Sequence, residues 1–263
     1  MKNLIYIFLL ASAFGCSNYQ KVVKEGTPQE KLDAARKYYK DKDYTRALPL
    51  LEELMGLYYG RQGREEVYYL YAYSYFADDQ FLVAGYHFNN FVQTYPRSEK
   101  REEVAFMHAL CKYKRSLPHE LDQSPTKEAI EALQSFINQY PNSTYVLSSN
   151  EKIDDLRKQI LEKVYENAKL YYSLGYYKSA MVSCANALED YPDMINREEL
   201  TYIVVESAFL YAENSVENKQ EERYSDALAK AKDFNKEFKN SQTYSKDIKR
   251  IIDRSNQALK EVS

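Results

Sequence analysis

The sequence predicts an all-α fold built from about five stacked helix pairs and a C-terminal capping helix. The 263-residue chain contains only seven glycines and seven prolines. Sheet proteins use many of both residues in their turns, so this scarcity favours long helices joined by short connections. Three segments also repeat along the chain, and each of them ends in Tyr-Pro, at Pro96, Pro141 and Pro192.

Each repeat contains an alanine, an apolar residue four positions later and another three positions after that. Five alanines begin this frame: Ala47, Ala84, Ala129, Ala180 and Ala227. The frame, with a proline that ends the second helix, is typical of the tetratricopeptide repeat, although Lys239 replaces that proline in the fifth copy. We therefore predict a tetratricopeptide-like, right-handed helical solenoid. The alanine spacing exceeds the usual period of about 34 residues, so the excess must lie in loops or longer helices.

The N-terminal sequence pattern predicts that a lipid anchors the protein to a membrane. The apolar run from Leu4 to Phe14 is shorter than the roughly 20 residues of a membrane span, and small residues precede Cys16 as in a bacterial lipobox. We predict a lipoprotein signal peptide at 1–15, a lipidated N-terminus and flexible tether at 16–28, and a repeat domain at 29–263. The alternative is an ordinary signal peptide that leaves a free cysteine.

The repeat domain is predicted to divide into N-terminal repeats at 29–143 and C-terminal repeats at 150–263. In stacked helix pairs the first helices line the concave side. Aromatic residues form a second face on these helices, and we predict that they line a peptide-binding groove: Tyr39, Tyr69, Tyr73, Phe76, Phe106 and Tyr113. The alternative is that these rings pack between neighbouring repeats.

The sequence contains none of the catalytic or metal-binding motifs that we searched for. The three histidines have no metal-ligand spacing, and no glycine-rich phosphate loop or nucleophile motif occurs, so we predict no catalytic residue, metal or cofactor. The net charge of −3, without a basic stripe, argues against nucleic acid as a partner. Acidic pairs such as Glu102-Glu103 begin helices and complement the helix dipole. Cys111 and Cys184 lie in helical patterns and are expected to be buried.

The sequence resembles the BamD family, the lipoprotein subunits of the outer-membrane β-barrel assembly machine, and in particular its Bacteroidota-like members. The segments that carry the resemblance cover nearly the whole chain in order: Cys16 to Val22, Ala47 to Leu54, Glu65 to Tyr73, Leu121 to Gln123, Thr126 to Leu133 and Ala212 to Val216. The resemblance implies a non-enzymatic lipoprotein on the periplasmic face of the outer membrane.

The resemblance also implies two kinds of partner. The N-terminal repeats would bind targeting peptides of unfolded outer-membrane proteins, and the C-terminal repeats would bind a BamA-like barrel subunit. The charged segment 223–238 departs from the family pattern. The loop 116–126 is a contact element or a spacer. The alternative function is a tetratricopeptide lipoprotein that coordinates envelope or peptidoglycan processes. A glycan-binding lipoprotein is disfavoured because tryptophan is absent.

Overall fold

The computed structural model describes residues 18–192 and 194–262. Its regular secondary structure in these ranges is helical, with no strand in either of them. The predicted signal peptide and the lipidation residue Cys16 lie outside the described residues. Twelve helices are present in these ranges: α1 (18–25), α2 (Pro28–Lys40), α3 (Tyr44–Leu57), α4 (Arg64–Ala77), α5 (Phe81–Thr94), α6 (Arg101–Lys114), α7 (Ser124–Gln139), α8 (Val146–Ser173), α9 (Tyr177–Asp190), α10 (Arg197–Glu213), α11 (Glu217–Glu237) and α12 (Ser245–Val262).

The helices form two compact units, and the division between Leu156 and Arg157 falls inside α8. Our prediction placed the division between residues 143 and 150. α8 is a continuous helix of 28 residues that begins before the division at Leu156 and ends after it. No helix in ranges 18–192 and 194–262 combines the length and apolar character that crossing a bilayer requires.

The first unit confirms the alanine frame. Ala47, Ala84 and Ala129 are 0% exposed, because each lies where a second helix packs against its partner. Phe88 and Phe91, which follow Ala84 in the frame, are both fully buried. Burying such a ring stabilises the fold by about 1.5–3 kcal/mol relative to exposure.

Two prolines end second helices of the first unit as predicted. α5 ends at Thr94 and α7 at Gln139, and the residue before each proline, Tyr95 or Tyr140, leaves the helical region with ψ near 65°. Proline disfavours helical backbone in the residue that precedes it, which explains the shared termination. The backbone N–H groups of both tyrosines still donate to the carbonyl four residues earlier.

The second unit continues the same frame. Ala180, Ala227 and Phe234 are buried, and the apolar face of α12 buries Ile248 and Ile251. The predicted C-terminal helix is therefore present and closes the core of this unit with one face. Cys111 in the first unit and Cys184 in the second are free and buried, as expected. Burial raises the pKa of both thiols to about 12.

The segment 18–25 differs from the flexible tether that we predicted. It is helical, and Tyr19, Val22 and Val23 pack against the core of the first unit. The Tyr19 ring meets Tyr38 edge to face at 5.6 Å, and the Arg46 guanidinium lies 5.9 Å from the Tyr19 ring. The three apolar residues are spaced i, i+3 and i+4, which places them on one helical face that the polar composition of the segment concealed.

Candidate functional site

The candidate site lies on first helices of the first unit. On α4, Tyr69, Tyr73 and Phe76 are spaced i, i+4 and i+7, so they share one face of the helix. All three rings are half-buried. This face adjoins α2 on one side and α6 on the other, and we call it the aromatic face.

Ring contacts fix the aromatic face to the core. The Tyr69 and Tyr73 rings lie 4.4 Å apart with their planes inclined by 36°. Tyr73 meets the buried Phe88 at 4.9 Å, and Phe76 meets Phe81 at 5.3 Å, both edge to face. Such pairs add about 0.5–1.5 kcal/mol to the free energy of area burial. Each ring is thus held in place by the core and still keeps part of its surface exposed.

One carboxylate orders the two tyrosines. The Tyr69 hydroxyl donates to Oε1 of Glu103 at 2.9 Å, and the Tyr73 hydroxyl donates to the same oxygen. Glu103 lies in the first turn of α6, so these bonds join α4 to the next first helix. Hydrogen bonds to an ionised acceptor are roughly twice as strong as neutral ones.

The tyrosines of this cluster stay protonated well above neutral pH. Burial and, after it, the hydrogen bond to Glu103 raise the pKa of Tyr69 to about 12. The same causes in the same order raise the pKa of Tyr73. Burial also raises the pKa of Tyr39, with further contributions from Tyr44 and Glu103. The aromatic face therefore consists of neutral rings around a single carboxylate.

Charged side chains border the aromatic face. Arg36 of α2 donates to both carboxylate oxygens of Glu66 on α4, each at 2.7 Å, and this bond lowers the pKa of Glu66. Lys100 is exposed, and its Nζ lies 4.1 Å from the centre of the Tyr69 ring. A cation in this position contributes about 0.5–1 kcal/mol at an exposed site.

The remaining predicted groove residues have different environments. Tyr39 is half-buried and meets Tyr44 edge to face at 5.9 Å. Tyr113 is half-buried, with Nζ of Lys152 at 5.5 Å from its ring centre.

Phe106 corrects the prediction of the groove. It is only 6% exposed and stacks on Tyr145 at 4.5 Å, with its other neighbour Phe136 at 5.6 Å. It is therefore a core residue that a peptide cannot reach. Tyr145 lies just before α8, outside the repeat frame, so the frame gave no sign that this ring would be covered.

A second signal, which our sequence reasoning did not use, marks the acids of the site. Three first helices, α4, α6 and α10, begin with Arg-Glu-Glu, and the second Glu of each accepts from the preceding first helix: Glu66, Glu103 and Glu199. The donors lie 30 or 34 residues earlier in the chain. We call each set an acid–donor pair. The helix-dipole role that we assigned to these acids is only part of what they do.

The second unit has its own acid–donor pair. The Tyr165 hydroxyl donates to Glu199 at 2.7 Å, and Lys169 lies 3.2 Å from the other oxygen of that carboxylate. Glu206 accepts from Tyr202 at 2.9 Å and from Arg250 at 3.0 Å. Tyr165 is buried, and both acids of this surface are also ion-paired, Glu199 with Lys169 and Glu206 with Arg250.

Comparison with known proteins gives related sequences. The model of a family described as "YfiO: Outer membrane lipoprotein" matches residues 24–222. The outer membrane protein assembly factor BamD of Caulobacter vibrioides is 22% identical over 206 residues, which are 76% of this chain and 67% of that protein. BamD of Vibrio cholerae is 23% identical over 202 residues, 73% of this chain and 84% of that protein. Among solved structures, the TPR2AB-domain:pHSP90-complex of yeast Sti1 is similar over 88% of this chain and 98% of that chain, with 11% identity and a TM-score of 0.40.

Proposed function

The chain belongs to the YfiO family of outer membrane lipoproteins, and from that premise we propose that it is a scaffold of the outer-membrane β-barrel assembly machinery that binds targeting peptides on its aromatic face. Two of its relatives are outer membrane protein assembly factors. The further parts of the proposal are docking of the C-terminal repeats on the barrel subunit and anchoring through a lipid on Cys16, on the periplasmic face.

The paired rings of Tyr69 and Tyr73 are the observation that carries the peptide-binding proposal. Glu103 engages both hydroxyls, so the rings offer mainly their apolar surfaces to a ligand. Apolar rings held in fixed positions suit an extended segment with aromatic side chains, since little side-chain entropy is lost on binding. The exposed Lys100 lies over Tyr69 and would be displaced by an incoming ring, which favours Tyr73 and Phe76 as the main contacts.

The test is crosslinking of an aromatic-rich C-terminal peptide from an outer-membrane barrel protein to the full chain. We expect the combined substitution Tyr69→Ser, Tyr73→Ser and Phe76→Ser to abolish crosslinking. The matched control replaces three exposed apolar residues elsewhere in the first unit by serine: Tyr59, Leu82 and Tyr86. Circular dichroism must show equal helicity in both variants. Unchanged crosslinking in the first variant would end the proposal.

The docking proposal is supported by an exposed apolar patch in the second unit. The end of α8, the turn of residues 174–176 and the first half of α9 expose five large apolar side chains to between 41% and 61% of their area: Leu170, Tyr171, Leu174, Tyr176 and Val182. A cavity of about 410 Å³ lies beside Tyr171 and Val182. Exposed apolar side chains that are grouped on a folded domain are typical of a surface that another protein covers, which is why we propose this patch as the docking site.

One double variant separates this patch from the aromatic face. We expect Leu174→Ser combined with Tyr176→Ser to release the barrel subunit from the detergent-solubilised complex while peptide crosslinking persists. Retention of the barrel subunit would exclude the patch as the docking site.

We expect Cys16→Ser to move the protein from the membrane fraction to the soluble fraction, and an unchanged distribution would exclude lipid anchoring through this cysteine.

A further inference from the structure

A cavity of about 350 Å³ lies where α5, α6 and α7 meet. Three residues of α6, Ala105, His108 and Lys112, line it at i, i+3 and i+7, so they share one face of that helix. Glu103, which joins the aromatic face, and Tyr113 project from α6 about 100° or more away from this face. The cavity and the aromatic face are thus on different sides of α6.

The cavity has an apolar floor. Val92, Ala105, Ala132 and Phe136 line it, and the two alanines leave the space that larger side chains would fill. Its volume is at the lower end of the range of about 300–1,000 Å³ for sites that bind small molecules. It is therefore large enough for one or two side chains of another protein and too small for a helix.

Hydrogen-bond acceptors surround this floor. Nδ1 of His108 lies 2.9 Å from the Gly85 carbonyl oxygen, which can only accept, so Nδ1 carries the proton. Burial lowers the pKa of His108, so the ring is neutral at pH 7 and its Nε2 is an acceptor. The carboxylates of Glu128 and Glu131 and the side chains of Asn89 and Gln139 add further acceptor oxygens.

The charges of the cavity do not cancel. Lys112 lies 3.3 Å from Glu128 and offsets its charge. Glu131 forms no salt bridge with any residue of the described chain, 18–192 and 194–262. With His108 neutral, one negative charge remains beside an apolar floor. Glu131 is exposed to solvent. The group that complements this charge beside apolar side chains is a cation with an aliphatic stem and several donors, and the arginine side chain has these properties, with five N–H donors on a planar group.

We propose that this cavity binds an arginine side chain of a partner protein, with the aliphatic stem on Val92 and Phe136 and the guanidinium at Glu131. The site does not depend on the aromatic face, because it involves another side of α6 and other residues of α5. A partner bound here leaves Tyr69 and Tyr73 free, so peptide and partner bind at the same time.

The experiment titrates the isotope-labelled full chain with acetyl-arginine amide and follows backbone amide resonances by NMR. We expect shifts that cluster at Ala105, His108 and Ala132. The neutral isostere acetyl-citrulline amide should bind about tenfold more weakly, because it lacks the charge that meets Glu131. Acetyl-lysine amide, a cation without the planar fork, should bind more weakly than the arginine probe.

Two substitutions and a control complete the test. Glu131→Gln keeps the shape of the site and should weaken the arginine probe about tenfold. Ala132→Leu fills the cavity and should abolish the shifts, with an unchanged helical spectrum. Glu151→Gln removes an exposed carboxylate of α8 and should change nothing. Equal binding of the citrulline probe, shifts that survive Glu131→Gln, or no shifts up to the solubility limit of the arginine probe would overturn the proposal.

Discussion

Replacing Glu103 tests whether this carboxylate holds the aromatic face together. Glu103→Ala removes the acceptor of the Tyr69 and Tyr73 hydroxyls. A hydrogen bond to a charged group contributes about 1.5–3 kcal/mol when buried. Both tyrosines are half-buried, so water replaces part of each bond, and we expect the free energy of unfolding to fall by about 2–3 kcal/mol.

A graded series separates the acceptor from its charge. Glu103→Gln keeps an acceptor oxygen and loses the charge, so we expect a loss of about 1 kcal/mol. Urea unfolding followed by far-ultraviolet circular dichroism measures both variants, with Glu151→Ala as an exposed control on α8. The free-energy change of Glu103→Ala corresponds to a fall of roughly 4–12 °C in the melting temperature, at about 2–4 °C per kcal/mol for a chain of this size.

A double-mutant cycle identifies the interaction itself. Tyr73→Phe removes only the hydroxyl, and in combination with Glu103→Ala it should show a coupling of about 1–2 kcal/mol. Additive effects of the two substitutions, or a loss below about 0.5 kcal/mol for Glu103→Ala, would refute the assignment of Glu103 as the residue that orders these rings.

Three further outcomes are expected. Glu199→Ala in the second unit should cost about 1–2 kcal/mol by urea unfolding, since Lys169 and a tyrosine hydroxyl lose their shared acceptor; an effect as small as that of an exposed glutamate would contradict it. Gly85→Ala places a Cβ 3.2 Å from Cβ of Cys111 and should cost about 1–2 kcal/mol by the same measurement; a stabilised variant would show that α5 and α6 separate freely. Tyr69 ionises more readily unfolded than folded, so its contribution to stability is complete below pH 10 and falls as pH rises towards about 12. Absorbance of tyrosinate against pH should therefore show fewer groups titrating near pH 10 in the wild type than in Glu103→Ala, and identical curves would contradict this.

The helix pairs could be predicted because their signals are local. The alanine frame depends on residues four and seven positions apart, and the helix ends depend on a single following proline. The segment 18–25 was missed because only Tyr19, Val22 and Val23 form its apolar face among polar neighbours. The average composition of the segment is polar and therefore does not reveal three apolar residues, although their helical spacing was visible in the sequence.

The candidate site was predicted in part. The shared face of Tyr69, Tyr73 and Phe76 could be predicted because these residues recur at helical spacing within one helix, and their peptide-binding role stays a prediction. Phe106 was assigned wrongly because its cover, Tyr145, comes from outside the frame. Glu103 was missed because its partners lie 30 and 34 residues earlier, beyond any local pattern. The recurring Arg-Glu-Glu at the start of first helices would have indicated it, if donors had been sought one repeat before each acid.

The offset of 30 or 34 residues between acid and donor restricts where insertions can be accommodated in the repeats. Each pair spans one second helix and two turns, and a residue added inside that helix would rotate the following side chains by about 100°. The extra length of the third and fourth repeats lies elsewhere, in the loop of residues 115–123 and in the early turns of α8. Neither segment falls between an acid and its donors. The offset of 30 or 34 residues between donor and acid is therefore found in each unit, and the extra length of these repeats lies where no such pair has to be matched.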